Sequence, residues 1–401
     1  MTRRFDPIAK KNDLEAFRHE IRAWLQATIP PNWHETMADA DERRFVEFQR
    51  DWFVEMKKVG LGTPHWPKDW GGPDLSLRHQ VIIFEEIAQM DAPTADLYTI
   101  TLYHLPATLF GYGTPAQRER YLKGALERNE VWCQGFSEPN AGSDLASLRT
   151  RAERKGDSYV VNGQKIWSSF GAHADYCLLL ARTDPNAPKH AGISYFILDM
   201  KSPGVTVRPI QQATGRAEFT EIYLDNVVIP VENRIGNENE GWSIAQSTLS
   251  AERGLIIFEH SERLARMLER DLDAARKGGA AWCQDDEFRR AYVRIVADMY
   301  GLRALIRKML SEIEANPEMG GALMPPLIKL HYSELLRRYT ELRLRIGGLS
   351  TQRREPVPMA GGYVSTNLMY DFLWSYAWTI AAGTNEIIRT IVAERILGLP
   401  R

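Results

Sequence analysis

Tyr159-Val160-Val161-Asn162-Gly163-Gln164-Lys165-Ile166-Trp167-Ser168 is the stretch on which the reading of this chain turns. Two short runs rich in β-branched and aromatic residues flank Asn-Gly, the dipeptide best suited to the positive φ angles of a type I′ hairpin. The spacing predicts two strands joined by a tight turn. The β character persists downstream, with strand candidates at Tyr176 to Arg182, Ile193 to Asp199, Val205 to Ile210 and Glu221 to Val228. Turn clusters such as Asp184-Pro185-Asn186 and Ser202-Pro203-Gly204 separate them. A closely spaced meander of this kind implies a barrel or a sandwich.

On both sides of this β region the period is helical. Leu14, Phe17, Ile21, Trp24 and Leu25 recur at helical spacing, with Asn12 or Asp13 as the cap and Pro30-Pro31 as the stop. Further helical segments run from Arg44 to Val59, Leu77 to Met90, Thr99 to Phe110 and Pro115 to Leu126, with Gly62 to Pro73 as a rigid connector. From Gly241 the helical period returns near Trp242 to Arg276, Asp286 to Ala315, Pro326 to Ile346, Leu368 to Ala381 and Asn385 to Leu397. Gly278-Gly279 and Gly320-Gly321 read as helix stops, and Gln352 to Gly362 as a loop. Long helices with few connections imply an antiparallel bundle. The chain therefore reads as α+β, with a helical domain at 1–130, a β domain at 131–238 and a helical domain at 239–401.

The 401 residues, 44% of them hydrophobic, suffice for such domains and their cores. Fifty basic and 52 acidic residues nearly cancel, so no global charge draws the chain to nucleic acid or an anionic membrane. A phosphate-bearing ligand must be held by local groups. Cys133, Cys177 and Cys283 are far apart and show no CxxC spacing, which argues against a disulfide framework or a zinc site. Arg3 and Arg4 are followed by Asp6 and not by an apolar leader, and no apolar run approaches the ~20 residues of a membrane span. The expectation is a cytoplasmic protein without a metal, a membrane anchor or a nucleic-acid partner.

Gly135-Phe136-Ser137-Glu138-Pro139-Asn140-Ala141-Gly142-Ser143-Asp144-Leu145 resembles the signature of the acyl-CoA dehydrogenase family. Val161 to Ser169, Ala174-Asp175-Tyr176, Gly383-Thr384-Asn385-Glu386-Ile387-Ile388-Arg389 and the ending Ala393 to Arg401 are similar to later segments of the same family. Trp66 to Gly72 and Tyr112-Gly113-Thr114-Pro115 are similar to earlier ones, so the resemblance covers nearly the whole chain. It implies an N-terminal α-helical domain, a middle β-barrel and a C-terminal four-helix bundle, with FAD in the cleft between barrel and bundle. It also implies dehydrogenation of an acyl-CoA thioester to the 2-enoyl-CoA, with flavin N5 taking the hydride and an electron-transfer flavoprotein taking the electrons. By the same resemblance Phe136, Ser137, Gly142 and Ser143 approach flavin or pantetheine, Trp167 and Ser169 line the isoalloxazine, and Thr384 and Glu386 lie toward FAD.

The residues alone allow blander readings. A Gly142-Ser143 turn presents backbone N–H groups and a hydroxyl, yet most such turns are only turns. A tryptophan in a strand such as Trp167 is ordinarily core packing, and Ser137 and Ser169 are ordinarily turn hydroxyls.

Desaturation of a thioester needs a carboxylate to remove the α proton and donors to polarise the carbonyl. A carboxylate among apolar groups loses hydration and becomes a stronger base. Between Gly241 and Phe258 the only charged residues are Glu252 and Arg253, and Leu255-Ile256-Ile257-Phe258 follows. Most family members carry the base where this chain has Ala382. A second group, of isovaleryl and long-chain type, carries it on the first bundle helix before an arginine, and Glu252-Arg253 resembles that arrangement. Arg253 and Ser143 then belong to the substrate site, and the Ala382 N–H, with a flavin ribityl hydroxyl, faces the thioester carbonyl. Glu386, Glu138 and Asp144 are rival carboxylates, the last two with a structural reading.

Two segments depart from the family pattern. Where homotetrameric members carry Arg-x-x-Phe-Gly, the chain reads Arg276-Lys277-Gly278-Gly279-Ala280-Ala281-Trp282-Cys283, leaving Arg276 as the candidate pyrophosphate contact or simply as a favourable charge at a helix end. The expected Gln-x-x-Gly-Gly becomes Leu344-Arg345-Ile346-Gly347-Gly348-Leu349. The chain is thus either a homo-oligomer, dimer or tetramer, or the base-bearing part of a heterotetramer with a second acyl-CoA dehydrogenase-like subunit. Some bacterial members of the family, notably those acting on steroid side chains or dicarboxylic acyl chains, are heteromeric. An acyl-CoA oxidase or flavin monooxygenase would share the architecture. A non-catalytic scaffold would not need the retained Glu252, Ser143 and Trp167.

Overall fold

The computed structural model describes residues 13–38, 40–252, 255–316, 324–352 and 367–400. Seven helices come first: α1 (Leu14–Thr28), α2 (Trp33–Ala38), α3 (Glu42–Lys58), α4 (Leu77–Gln89), α5 (Leu105–Tyr112), α6 (Pro115–Gln117) and α7 (Lys123–Glu127). Asp13 caps α1 by accepting the Ala16 N–H at 2.9 Å, and α1 buries Phe17, Ile21 and Leu25. Tighter and wider turns interrupt the predicted helices at 99–110 and 115–126, with π-helical turns at Ile100–His104 and Arg118–Leu122.

The β region holds β1 (Trp132–Gly135), β2 (Arg151–Lys155), β3 (Ser158–Ser169), β4 (Tyr176–Arg182), β5 (Ile193–Asp199), β6 (Val205–Pro209), β7 (Phe219–Pro230) and β8 (Arg234–Ile235). They form one mixed sheet in the order β6-β7-β3-β2-β4-β5-β8, with β1 pairing parallel to β4. Phe196 and Leu198 of β5 share a core with Ile222 and Leu224 of β7, although three strands separate the two in the sheet. The sheet therefore wraps around its own interior.

The Asn162-Gly163 hairpin is not what forms. β3 runs straight through both residues, and the two-residue turn that joins β2 to β3 is Gly156-Asp157, with Gly156 at φ +61°. β3 is paired on both edges, to β2 and to β7, so a reversal at Asn162 would leave β7 without its partner. The dipeptide is absorbed as a register shift between Val161 and Gly163. Gly163 is required there for a different reason: at φ +154° its Cβ would lie 2.5 Å from Thr150 Oγ1.

The C-terminal helices are α8 (Gly241–Glu252), α9 (Leu255–Gly278), α10 (Asp286–Ala315), α11 (Met324–Gly347), α12 (Leu368–Ile380) and α13 (Asn385–Ile391). Gly279, at φ +60°, ends α9 as anticipated. Gly320, Gly321 and most of the predicted 352–362 loop lie outside the described residues. The chain divides into two compact units. One gathers the described parts of Met1–Phe45, Asp74–Thr94 and Arg253–Arg401, and the other holds Val46–Pro73 and Ala95–Glu252. In the first, Phe84 of α4 joins a core built from Leu264 and Leu268 of α9, Leu302 of α10 and Tyr332, Leu335 and Tyr339 of α11. Among the described residues no helix is long and apolar enough to cross a membrane.

Candidate active site

The chain leaves β1 at Gly135 and makes a turn closed by two reciprocal 3.0 Å bonds between the backbones of Glu138 and Ala141. Lys165, on β3, holds this turn from beneath. Its wholly buried ammonium donates to the Phe136 carbonyl at 3.1 Å and to Glu138 Oε1 at 2.8 Å. The Glu138 carboxylate also accepts the N–H groups of Arg149 (2.6 Å) and Thr150 (2.8 Å). Burial alone would raise the pKa of Glu138, but the Lys165 charge and these hydrogen bonds outweigh it and hold the carboxyl below its usual range. Glu138 is thus committed to a structural ion pair, and Asp144 pairs with Lys189 at 2.6 Å.

Above this clamp, Gly142 and Ser143 are exposed, and a Cβ added to Gly142 would touch nothing within 4 Å. Phe136 points the other way, buried edge-on against Tyr195 at 5.5 Å, so its side chain belongs to the core. Ser137 is half-buried, and its carbonyl accepts the Ile166 N–H at 3.0 Å.

Lys165 and Trp167 are two apart on one strand and in a regular strand would share a face. They do not. A register shift against β7 between Lys165 and Ser168 turns Trp167 outward at φ +63°, leaving it 56% exposed while Lys165 is fully buried. The ordinary reading of Trp167 as core packing therefore fails. The indole meets Phe219 edge-on at 6.1 Å, and Ser169 follows half-buried. A non-glycine residue in the left-handed region persists only where its surroundings enforce it, and a large aromatic exposed there is a candidate ligand contact.

The second cluster lies in the other unit, where α12 gives way to α13. Ala382 (φ +55°) and Gly383 (φ +89°) are consecutive left-handed residues, and Thr384 caps α13 by accepting the Ile387 N–H at 3.3 Å. Glu386 is exposed in the first turn of α13, 3.6 Å from Arg389. Buried Asn385 is held by Lys329, Ser333 and Glu334 of α11. Glu252 is the last residue of α8. Its side chain, and Arg253, lie outside the described residues.

Arg276 is exposed near the C-terminal end of α9. Just beyond it, the two segments that depart from the family pattern come together. Ala280 and Trp282 from one, and Ile346 and Gly347 from the other, line a cavity of about 330 Å³ with Tyr339 and Arg343. Inside it Asp271 accepts the Tyr339 hydroxyl at 2.5 Å and pairs with Arg343 at 3.0 Å.

Lys165 and Lys329 are the residues that sequence reasoning passed over. Each had a signal. Lys165 sits in a run of strand residues where a charge is costly, and Lys329 heads an i, i+4 polar stripe with Ser333 along the largely apolar, buried side of α11.

Comparison with known proteins fits this geometry. Residues 11–129 match the acyl-CoA dehydrogenase N-terminal domain, 133–227 the middle domain and 239–397 the C-terminal domain. The chain is 36% identical over 394 residues to acyl-CoA dehydrogenase IpdE1 of Mycobacterium tuberculosis, covering 97% of this chain and 98% of that one. Among solved structures it is similar to the Tcur3481-Tcur3483 steroid ACAD, with a TM-score of 0.83 and 31% identity over 97% of this chain and 98% of that one. It is also similar to the ChsE4-ChsE5 complex from Mycobacterium tuberculosis, with a TM-score of 0.78 and 29% identity over 97% and 98%. With three successive domain matches and full-length relatives, the chain belongs to the acyl-CoA dehydrogenase family of oxidoreductases.

Proposed function

We propose that this protein is an FAD-dependent enzyme that converts an acyl-CoA thioester to its 2-enoyl-CoA, with Glu252 as the base. The observation that carries the reading is Trp167, an indole thrust out of the sheet at φ +63° on the strand whose Lys165 and Ile166 bond to the 136–138 segment leading into the exposed Gly142-Ser143 turn. An exposed aromatic ring and an exposed turn of small residues fit a planar cofactor with polar edges. Trp167 and Ser169 would hold the flavin ring, with Ser137, Gly142 and Ser143 at its polar periphery, and Thr384 and Glu386 are assigned to FAD by the family resemblance. Bound FAD supplies the acceptor for the β hydrogen and its electron pair.

The chain supplies the rest. Glu252 removes the α proton onto its carboxylate, and the Ala382 N–H donates to the thioester oxygen as negative charge grows there. Glu138, Asp144 and Glu386 are weaker candidates for the base, because the first two are ion-paired and the third stands in solvent. An electron-transfer flavoprotein is the acceptor this reading calls for. Anaerobic titration of the purified protein with a panel of acyl-CoAs tests it: the visible flavin absorbance bleaches in the wild type. In Glu252→Gln the FAD stays bound and the bleaching disappears. Wild-type reduction rates in that variant would remove Glu252 from the role, and rapid reoxidation of the reduced flavin by air would point to an oxidase.

The partner we infer is a second acyl-CoA dehydrogenase-like subunit, and the substrate class a bulky acyl-CoA such as a steroid side chain. What supports this is the meeting of both altered segments at one cavity of the bundle, together with similarity to a steroid ACAD with a two-part name and to a two-part complex. Full FAD occupancy and turnover by this chain expressed alone would overturn the heteromeric reading.

A further inference from the structure

We propose that Lys329 is a positioning residue that sets the backbone N–H of Ala382 for the thioester carbonyl, an inference that rests on the function proposed above. The turn that carries this N–H is strained. Ala382 at φ +55° and Gly383 at φ +89° follow one another, and a left-handed alanine costs on the order of 1 kcal/mol and persists only if neighbours enforce it.

The enforcing neighbour is a lysine from α11. Lys329 is wholly buried and reaches across the bundle to donate to the Gly383 carbonyl at 2.7 Å and to Asn385 Oδ1 at 2.9 Å. Asn385 Oδ1 also accepts Ser333 Oγ at 3.0 Å, and Asn385 Nδ2 donates to Glu334 Oε1 at 2.9 Å, which Arg389 reaches at 2.8 Å. Residues 383 and 385 are thus fixed to α11 on either side of Thr384, the N-cap of α13. On the α12 side the Ala381 N–H is bonded to the Ala377 carbonyl at 2.8 Å, and on the α13 side the 383 carbonyl and the 385 side chain are held by Lys329, so the two left-handed residues between are pinned at both ends and the direction of the Ala382 N–H depends on where Lys329 stands. A buried ammonium is costly and would be replaced by an apolar residue if packing were all that this position needed.

The test compares wild type with Lys329→Met, both as FAD-loaded full-length protein purified together with any subunit that assembles with it, using 4-(dimethylamino)cinnamoyl-CoA, whose absorption band moves to the red as its carbonyl is polarised. Wild type gives the red shift. In Lys329→Met the probe binds with similar affinity but loses most of the shift, and kcat falls about tenfold or more with KM little changed. A full red shift and full kcat in the variant overturn the inference. A wild type that binds the probe without any shift removes Ala382 as the donor, and a wild type that binds no acyl-CoA removes the function itself. The inference falls with either. Hydrogen exchange at 382–384, which needs no ligand, should be at least about tenfold faster in the variant. Unchanged exchange overturns the clamp whatever the probe reports. Should the variant not fold, exchange at these wild-type amides as fast as in an unstructured peptide does the same.

Discussion

The ammonium of Lys165 lies 2.8 Å from Glu138 Oε1 and 3.1 Å from the carbonyl of Phe136, with the whole side chain buried. This joins the exit of β1 to the middle of β3 and holds up the turn that bears Gly142 and Ser143. Removing one partner of a buried pair leaves the other charge uncompensated, at a cost of about 3–5 kcal/mol. Lys165→Met should therefore lower stability by that amount in urea unfolding. The double variant Lys165→Met, Glu138→Leu should recover a large part of it, because no charge is left stranded. Equal losses in the single and double variants would mean that packing, and not the ion pair, holds the turn.

Gly163 and Gly156 give a second, contrasting pair of expectations. At Gly163 an added Cβ meets Thr150 Oγ1 at 2.5 Å and Thr150 Cα at 2.7 Å, in backbone that L-residues rarely adopt. At Gly156, φ is +61° and nothing lies within 4 Å. Gly163→Ala should cost about 2–4 kcal/mol, whereas Gly156→Ala should cost only about 1 kcal/mol, the strain of a left-handed alanine. Denaturant midpoints of the two variants check the order. A reversal would restore Asn162-Gly163 as the turn.

Much of the fold was legible because it is written locally. Tyr176–Arg182 and Ile193–Asp199 begin and end where the alternation of turn clusters and apolar runs places them, and Asp286–Ala315 does so as a helix. What misled at Asn162-Gly163 is a non-local fact: β3 pairs with β2 only as far as Asn162 but with β7 from Ser158 to Ser169, and a ladder that continues past the dipeptide outweighs a two-residue turn preference. The same limit applies at the site. Trp167 could be named from its motif, but that it stands outside the sheet depends on a register shift with β7, some fifty residues on. Cys133 and Cys177, far apart in sequence, are direct neighbours across β1 and β4. The bonds of Lys165 and Lys329 likewise reach residues far off in the chain, so their spacing could mark them as unusual without saying what they hold.

Trp167 should separate cofactor binding from stability. Its ring is more than half exposed, so deleting it removes little packing, and a glycine there relieves a φ of +63°. Trp167→Gly should stay within about 1 kcal/mol of wild type in thermal unfolding of the FAD-free chain. Its FAD dissociation constant should rise about tenfold, the equivalent of one lost ring-on-ring contact. Release of flavin fluorescence on dilution reports the affinity. A variant that loses stability but keeps its FAD would make Trp167 a packing residue after all.

His260 makes the bundle sensitive to mild acid. It is buried in α9 beside the rings of Tyr332 and Trp378, and burial, aided by the nearby Arg263 charge, pushes its pKa down from 6.5 to about 3. The folded protein therefore carries the neutral imidazole through a range where the unfolded chain takes up a proton. Stability from this source is fully present above about pH 6.5 and is lost progressively as pH falls from 6.5 toward 3, at up to about 1.4 kcal/mol per unit. The carboxylates held below their usual range, Glu138 and Glu86 among them, lose their contribution only at lower pH, whereas His65, pushed down by burial to about 4, and His79, also lowered by burial, respond in the same interval with the same sign, so the share of His260 is read against a variant that lacks it. Urea midpoints measured at pH 7, 6 and 5, points chosen to span that interval, should fall more steeply for the wild type than for His260→Met, which keeps only the slope that His65 and His79 supply. Parallel slopes in the two proteins would mean that another group carries the acid sensitivity.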